Sequence, residues 1–474
     1  MTAYSPAPRI LELGGPPPSP FYDAVRAADF PKLVLRYRNQ RWAARIGLDG
    51  LGAEAWLDHF GRFLPLPDNL REPLALRYHG HQFRTYNPDI GDGRGFLFAQ
   101  LEDDAGRLLD LGTKGSGKTP YSRFGDGRLT LKGGVREILA TEMLEALGVY
   151  TSKSFSVIET GEALSRNDEP SPTRSCVLVR LSHSHVRFGT FQRLAFENDA
   201  ESIERLVAYC AAHLEGGADP DPAAFFSRVV ARTARLVADW TAAGFVHGVL
   251  NTDNMTVTGE SFDYGPWRFA PTADPGFTAA YFDQTGLYAF GRQAEAGAWN
   301  LARLGGCLTL LAPVDALNAA LASYGDLYRE ALADGFFRRL GLARTGGDDI
   351  RLANAVLGWL DATRAPYERF FFDWFCGRES AARRTASPLA RDYESPEFGE
   401  AKALLLAATP ERPGRLSHPY FAQSEPCTML IDEVERVWSS IAEADDWSPL
   451  AAKIDAIAAM REAYGFSPSA APTS

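Results

Sequence analysis

The chain is poor in the residues that staple or ligate. It has five cysteines in 474 residues, at positions 176, 210, 307, 376 and 427, with no Cys-x-x-Cys pair among them. A disulfide framework and a thiolate zinc site are therefore excluded, and with no apolar leader behind Met1-Thr2-Ala3-Tyr4 the expectation is a reduced, cytoplasmic protein. No run approaches the roughly 18 apolar residues of a membrane-spanning helix, so no membrane partner is expected. Positive charge is in deficit, 49 Lys and Arg against 60 Asp and Glu for a net charge of −11. That argues against a general nucleic-acid binder, whose surface should be basic, and leaves open a locally basic pocket. The eight histidines include His79-x-His81 and His183-x-His185, neither beside a Cys or carboxylate ligand set, so zinc is not expected there.

What is present is core material, 45% hydrophobic residues with 29 Phe. The length suits about three domains, or one two-lobed enzyme with an extension. Residues 1 to about 20, with Pro16-Pro17-Pro18, read as an extended lead-in. Leu33 to Tyr37 reads as a strand, and Glu54 begins a short helical piece.

The densest chemistry lies in His247-Gly248-Val249-Leu250-Asn251-Thr252-Asp253-Asn254-Met255, followed by Phe262-Asp263-Tyr264-Gly265-Pro266. An Asp before an Asn, with a second Asp nine positions later, can build a nucleotide-metal site. One carboxylate stays free to accept a proton, while an amide oxygen and the second carboxylate hold a divalent cation against phosphate oxygens. The stretch reads like a compressed protein-kinase catalytic loop and Asp-Phe-Gly segment. Taken alone, Asn251 to Asn254 would be an Asx-rich turn. The preceding residues favour the site: Phe226, Val229, Val230, Thr233, Leu236, Val237 and Trp240 fall at helical spacing, and Gly244 stands where a helix-ending glycine should.

Upstream, Gly91-Asp92-Gly93-Arg94-Gly95 leads into an apolar run. Such a loop is either a hairpin turn or a close backbone approach to phosphates, with Arg94 adding charge. Next, Gly112-Thr113-Lys114-Gly115-Ser116-Gly117-Lys118-Thr119 matches the phosphate-loop pattern letter for letter. That motif needs a long helix starting at its Lys-Thr pair, and Gly125 and Gly127 follow too soon for one to form. The competing reading makes Lys114 an ATP-phosphate lysine at a strand end, paired with Glu137 on a following amphipathic helix that ends near Gly148. Glu142 and Glu145 are expected on the solvated face of that helix.

Val177 to Leu181 reads as a strand, reached through a hydrophilic loop at 166–172. Arg180 inside it needs an anionic partner, a carboxylate or a phosphate. Residues around Trp299, 316–324 and 348–361 read as helices, Phe370 to Phe375 as core, the region beyond 380 as helix-loop-helix, and Ser467 to Ser474 as a frayed tail. The fold class expected is α+β, protein-kinase-like and two-lobed. An N-terminal extension (1–74) precedes a small lobe with an antiparallel sheet and one key helix (75–200), a helical lobe with the catalytic loop (201–380) and a C-terminal helical extension (381–474).

Taken in order, several segments resemble the selenoprotein O family of kinase-like proteins. They are Tyr78 to Phe83, Tyr86-Asn87-Pro88, Gly91 to Arg94, Thr119 to Arg123 with Gly125 to Arg128, Ser184 to Gly189, His247-Gly248 with Asn251 to Met255, and Asp263 to Pro266. The resemblance implies transfer of AMP, rather than phosphate, from ATP to a hydroxyl on a protein, with self-modification among the targets. It implies Asp253 as proton acceptor, Asn254 and Asp263 as ligands of Mg²⁺ or Mn²⁺, and Lys114, held by Glu137, together with Arg180 and Arg187 against the phosphates. Gly91, Gly93, Arg94, Asp126 and Gly127 would complete the nucleotide pocket. Three departures stand out, the first being that the C-terminal third matches the family poorly. Gly112-Thr113 precedes Lys114 where the family usually has an apolar residue, so Gly112 is expected to loosen the lysine's strand, and no terminal cysteine supports redox regulation. Residue types alone do not separate AMP transfer from a kinase reaction, or from a non-catalytic nucleotide-binding role.

Overall fold

In a computed structural model, residues 2–14, 18–167 and 169–466 are described. Pro16, Pro17 and the tail from Ser467 lie outside them. The described strands are β1 (Tyr22–Ala24), β2 (Val34–Arg38), β3 (Leu74–Leu76), β4 (Gly80–Gln82), β5 (Thr85–Asn87), β6 (Leu97–Glu102), β7 (Leu108–Lys114), β8 (Leu129–Thr130), β9 (Lys153–Leu164), β10 (Thr173–Ser182), β11 (Phe245–Val246) and β12 (Arg268–Phe269). The helices are α1 (Gln40–Arg45), α2 (Ala53–Phe60), α3 (Leu131–Ala146), α4 (Phe188–Phe196), α5 (Ala200–Tyr209), α6 (Pro222–Ala242), α7 (Gln293–Leu308), α8 (Val314–Ala322), α9 (Tyr324–Leu340), α10 (Asp349–Thr363), α11 (Tyr367–Trp374), α12 (Ala381–Ala386), α13 (Gly399–Ala407), α14 (Ile431–Ala444) and α15 (Ser448–Tyr464). The fold is α+β.

Among the described residues the main sheet runs β1-β3-β6-β7-β10-β9-β2, with β8 beside β10, and its pairings are antiparallel. Its centre is β7, whose apolar run is buried throughout. The site depends on that register: Lys114 lies opposite Leu178, and Gly112 opposite Arg180. Gly112 does not loosen the strand. It pairs with both Leu97 and Arg180, and a Cβ there would come within 2.3 Å of His185 Nε2, so the imidazole fills the space a side chain would take.

Helix α3 starts where the Thr130 hydroxyl accepts from the Gly133 N–H at 3.1 Å, and it packs on the sheet through Val135, Ile138 and Leu139, all fully buried. Helix α6 starts with Asp221 capping the Ala224 N–H at 2.8 Å and Pro222 in its first turn. It ends at Gly244, whose φ of +65° closes the helix and turns the chain into β11 and the catalytic stretch.

Three further expectations change. The boundary at residue 74 does not separate an extension from the sheet, because β1 pairs with β3 and β2 with β9. The lead-in is not simply extended either: Arg9–Leu13 forms a short 3₁₀ turn that buries Ile10 and Leu13. Glu142 and Glu145 are buried rather than solvated. Tyr37 donates to Glu142 at 2.9 Å, Trp42 Nε1 to Glu145 at 2.9 Å, and Arg41 and Arg461 pair with both carboxylates. Cations from α1 and α15 let an acidic helix face go inside, since buried carboxylates persist only when paired. Through these contacts the C-terminal helices brace α3, the element that carries Glu137.

Candidate active site

Between the sheet and the helix-rich remainder lies a cavity of about 670 Å³, inside the roughly 300–1,000 Å³ usual for small-molecule sites. Gly91, Gly93, Arg94, Lys114, Asp126, Gly127, Arg180, Arg187, Asp253 and Asp263 all line it. Glu137 stands behind the wall and accepts from Lys114 Nζ at 2.5 Å. Asn254 is not among the lining residues.

The cavity's charge is arranged around Asp263. Its Oδ1 lies 2.9 Å from Lys114 Nζ and 3.2 Å from Arg180, and its Oδ2 lies 3.4 Å from Arg187. Burial pushes its carboxyl up, but Lys114, Arg180 and Arg187 outweigh that and hold it well below the usual aspartate range. Three cations packed this closely would repel one another without the anion between them. Asp263 also has φ of +62°, a left-handed conformation that Asp tolerates better than most residues and that recurs at functional sites.

Asp253 sits differently. It is buried, on the 3₁₀ turn Thr252–Asn254, and its Oδ1 has no hydrogen-bond partner. Burial raises its carboxyl to about 6, partly opposed by Arg187 and assisted by the negative charge of Asp263. Gly80 makes room for it, since a Cβ at that position would lie 2.8 Å from Asp253 Oδ1. Two neighbouring carboxylates thus differ in character: Asp263 is held ionised among cations, while Asp253 has a raised pKa and one oxygen without a hydrogen-bond partner.

The two halves of the catalytic stretch are bound together. His247 donates from Nε2 to the Phe262 carbonyl at 2.9 Å, and burial keeps the ring neutral by lowering its pKa. Arg187 Nη1 donates both to the Asp253 carbonyl at 2.9 Å and to Asp263. Asn254 donates through Nδ2 to the Val249 carbonyl at 2.9 Å, leaving its amide oxygen uncommitted by that bond. Among the described residues no three His, Cys, Asp or Glu side chains form a metal-holding group. A cation carried in on phosphates needs no such cage, because one carboxylate and an amide oxygen are the usual protein share.

The phosphate-loop alternative fails its structural test. Residues 115–128 form bends and turns, the next helix after Lys114 begins only at Leu131, and Lys118 is exposed away from the cavity. Arg180 finds a carboxylate partner in Asp263, while its Nε and that of Arg187 are buried without partners. Sequence reasoning passed over Asp92, Tyr78 and Arg166. Asp92 receives Arg187 at 3.3 Å, with burial raising its pKa, and Tyr78 lies 4.4 Å from the same guanidinium. Arg166, from the hydrophilic loop at 166–172, grips Asp126 through both terminal nitrogens. Asp92 and Tyr78 sat inside recognised motifs and could have been found there; Arg166 had no such signal.

Residues 8–458 match the family model described as protein adenylyltransferase SelO. The chain belongs to this family. Its relatives include a protein nucleotidyltransferase YdiU of Gloeobacter violaceus, 45% identical over 94% of this chain and 93% of that one. Another, of the same description, from Synechocystis sp., is 43% identical over 90% of this chain and 93% of its own. Membership in the SelO family makes the chain a nucleotidyltransferase of the protein adenylyltransferase class, acting with ATP on protein substrates. The match runs to residue 458, so the expectation that the C-terminal third departs from the family is corrected. No described helix is long and apolar enough to cross a membrane, and the five cysteines are free and buried.

Proposed function

We propose that this enzyme moves AMP from ATP onto Ser, Thr or Tyr hydroxyls of proteins, with Asp253 taking the hydroxyl proton. The acceptor oxygen bonds to the α-phosphorus, the bond from that phosphorus to the bridging oxygen breaks, and pyrophosphate leaves with the electron pair. Lys114, Arg180 and Arg187 face the phosphates, and Glu137 steadies Lys114 as the strand-to-helix ion pair of protein kinases does. That pair and the position of the cavity support a two-lobed, kinase-like organisation, with the sheet and α3 on one side and the helices that follow α4 on the other, except that α14 and α15 return to pack on α3. Gly91, Gly93, Arg94, Asp126 and Gly127 complete the nucleotide wall.

The observation that carries the reading is the unpartnered Oδ1 of Asp253 in the same cavity as the cluster of Lys114, Arg180, Arg187 and Asp263. A proton acceptor must keep a free lone pair, and fixed cations must await the charge that collects on leaving pyrophosphate. The hard-oxygen donors of Asp263 and Asn254 suit Mg²⁺ or Mn²⁺. Bound there, the cation would neutralise phosphate charge and polarise the phosphorus centre. Incubation of the enzyme and a protein acceptor with α-labelled or γ-labelled ATP tests the reading. Label should enter protein only from the α position; label only from the γ position would make the enzyme a kinase.

A further inference from the structure

The hairpin of β4 and β5 pairs Gln82 with Thr85, so its loop is the two residues Phe83 and Arg84, with φ of 50° and 65°. Two-residue loops with both φ positive strongly favour Asn and Gly, because a branched or bulky side chain is strained there. A phenylalanine in that position calls for a reason outside the hairpin.

The fold holds only one side of the Phe83 ring. Phe83 is 37% exposed, resting on Tyr288 at 5.1 Å and Phe282 at 5.8 Å. Phe282 is 46% exposed and Tyr281 81% exposed, so three large rings meet at one surface. Charge at its rim is already satisfied internally. Arg84 pairs with Glu295 at 2.6 Å, as does Arg292 at 2.9 Å, and the Asp283 carboxylate accepts the N–H groups of Leu287 and Tyr288 at 2.8 Å.

This surface is bonded to the catalytic stretch. The Phe83 N–H donates to Asn251 Oδ1 at 3.0 Å, and the Tyr288 hydroxyl donates to the same oxygen at 2.9 Å. Asn251 stands two residues before Asp253. None of Phe83, Tyr281 and Phe282 lines the nucleotide cavity, so their exposure is not part of ATP binding. A protein adenylyltransferase must hold a polypeptide beside its proton acceptor, and an aromatic patch without spare charge is complementary to apolar side chains.

We propose that Phe83, Tyr281 and Phe282 are the docking patch for the acceptor protein, gripping an apolar side chain that flanks the target hydroxyl in an extended segment. The inference rests on Asp253 being the proton acceptor. The test uses a library of Ser-centred peptides with each flanking position varied, incubated with full-length enzyme, Mg²⁺ and α-labelled ATP. Wild type should prefer aromatic or branched aliphatic residues beside the serine. The triple variant Phe83→Asn, Tyr281→Ser, Phe282→Ser should lose that preference, with KM for the best peptide raised at least about tenfold, the scale of one buried aromatic contact. Its Mg·ATP affinity by calorimetry should match wild type, which separates lost docking from lost folding; Asn also suits the turn better than Phe.

Wild-type labelling without a flanking preference, or a preference that the variant keeps, overturns the proposal. Self-association of wild type that the variant abolishes, with peptide preference unchanged, would instead assign the patch to a second copy of the chain. Asp253→Ala, run in parallel, distinguishes the two layers. If it still labels peptides, the proton-acceptor reading fails, whereas a dead Asp253→Ala beside an unaltered triple variant refutes docking alone.

Discussion

Replacing Asp253 by Asn should abolish transfer and, in the same stroke, make the nucleotide-free protein more stable. In the fold, burial lifts this carboxyl from the ordinary 3.8 to about 6. One pKa unit corresponds to about 1.4 kcal/mol, so holding Asp253 ionised in the folded protein costs about 3 kcal/mol, an upper figure. Because the folded pKa is the higher one, the native state binds more protons between about pH 4 and pH 6, and stability falls as pH rises through that window. Asn carries no such penalty and nearly the same shape. Asp253→Asn should therefore unfold a few degrees higher than wild type at about pH 8, with the gain shrinking to nothing near pH 4. Thermal unfolding followed by fluorescence across that range is the assay. An equal or lower midpoint at pH 8, or a gain independent of pH, would show that Asp253 is not a strained, buried carboxylate held for function.

The same titration sets the pH profile of catalysis. As a base, Asp253 must be ionised, so kcat/KM should rise about tenfold per pH unit below about 6 and level off above it; a flat profile from pH 5 to 8 contradicts the role. Lys114→Ala leaves Glu137 buried without its cation and should cost about 3–5 kcal/mol of stability together with ATP affinity. Lys118→Ala should change neither, and calorimetry showing the reverse order would restore the phosphate loop. Asp263→Ala should lose metal-dependent ATP binding, which undiminished Mg·ATP affinity would refute.

Much of the site was legible in the sequence because its chemistry is local. Asp253, Asn254 and Asp263 lie within one short stretch, and α6 announces its arrival through a 3.6-residue stripe and a closing glycine. Lys114 and Glu137 followed from a strand end and a helix flank, and Gly125 and Gly127 correctly spoke against the phosphate-loop helix. What escaped was set by distant partners. Glu142 and Glu145 look solvated until Arg41 and Arg461, far away in the chain, arrive to cover them. Strands β1 and β2 are three and five residues long and join the sheet through pairings across tens of residues, which no local pattern reports. Gly112 looked like a weakness because its neighbour His185 is remote in sequence.

In the proposed reaction, AMP transfer depends on Asp253, whose Oδ1 has no hydrogen-bond partner, in a cavity whose cations receive pyrophosphate. Intact-mass spectrometry of wild type and Asp253→Ala, each incubated with Mg·ATP and a protein acceptor, tests it most directly. Wild type should add AMP-sized increments to protein and Asp253→Ala none. Phosphate-sized increments, or AMP addition that survives the loss of Asp253, would contradict it.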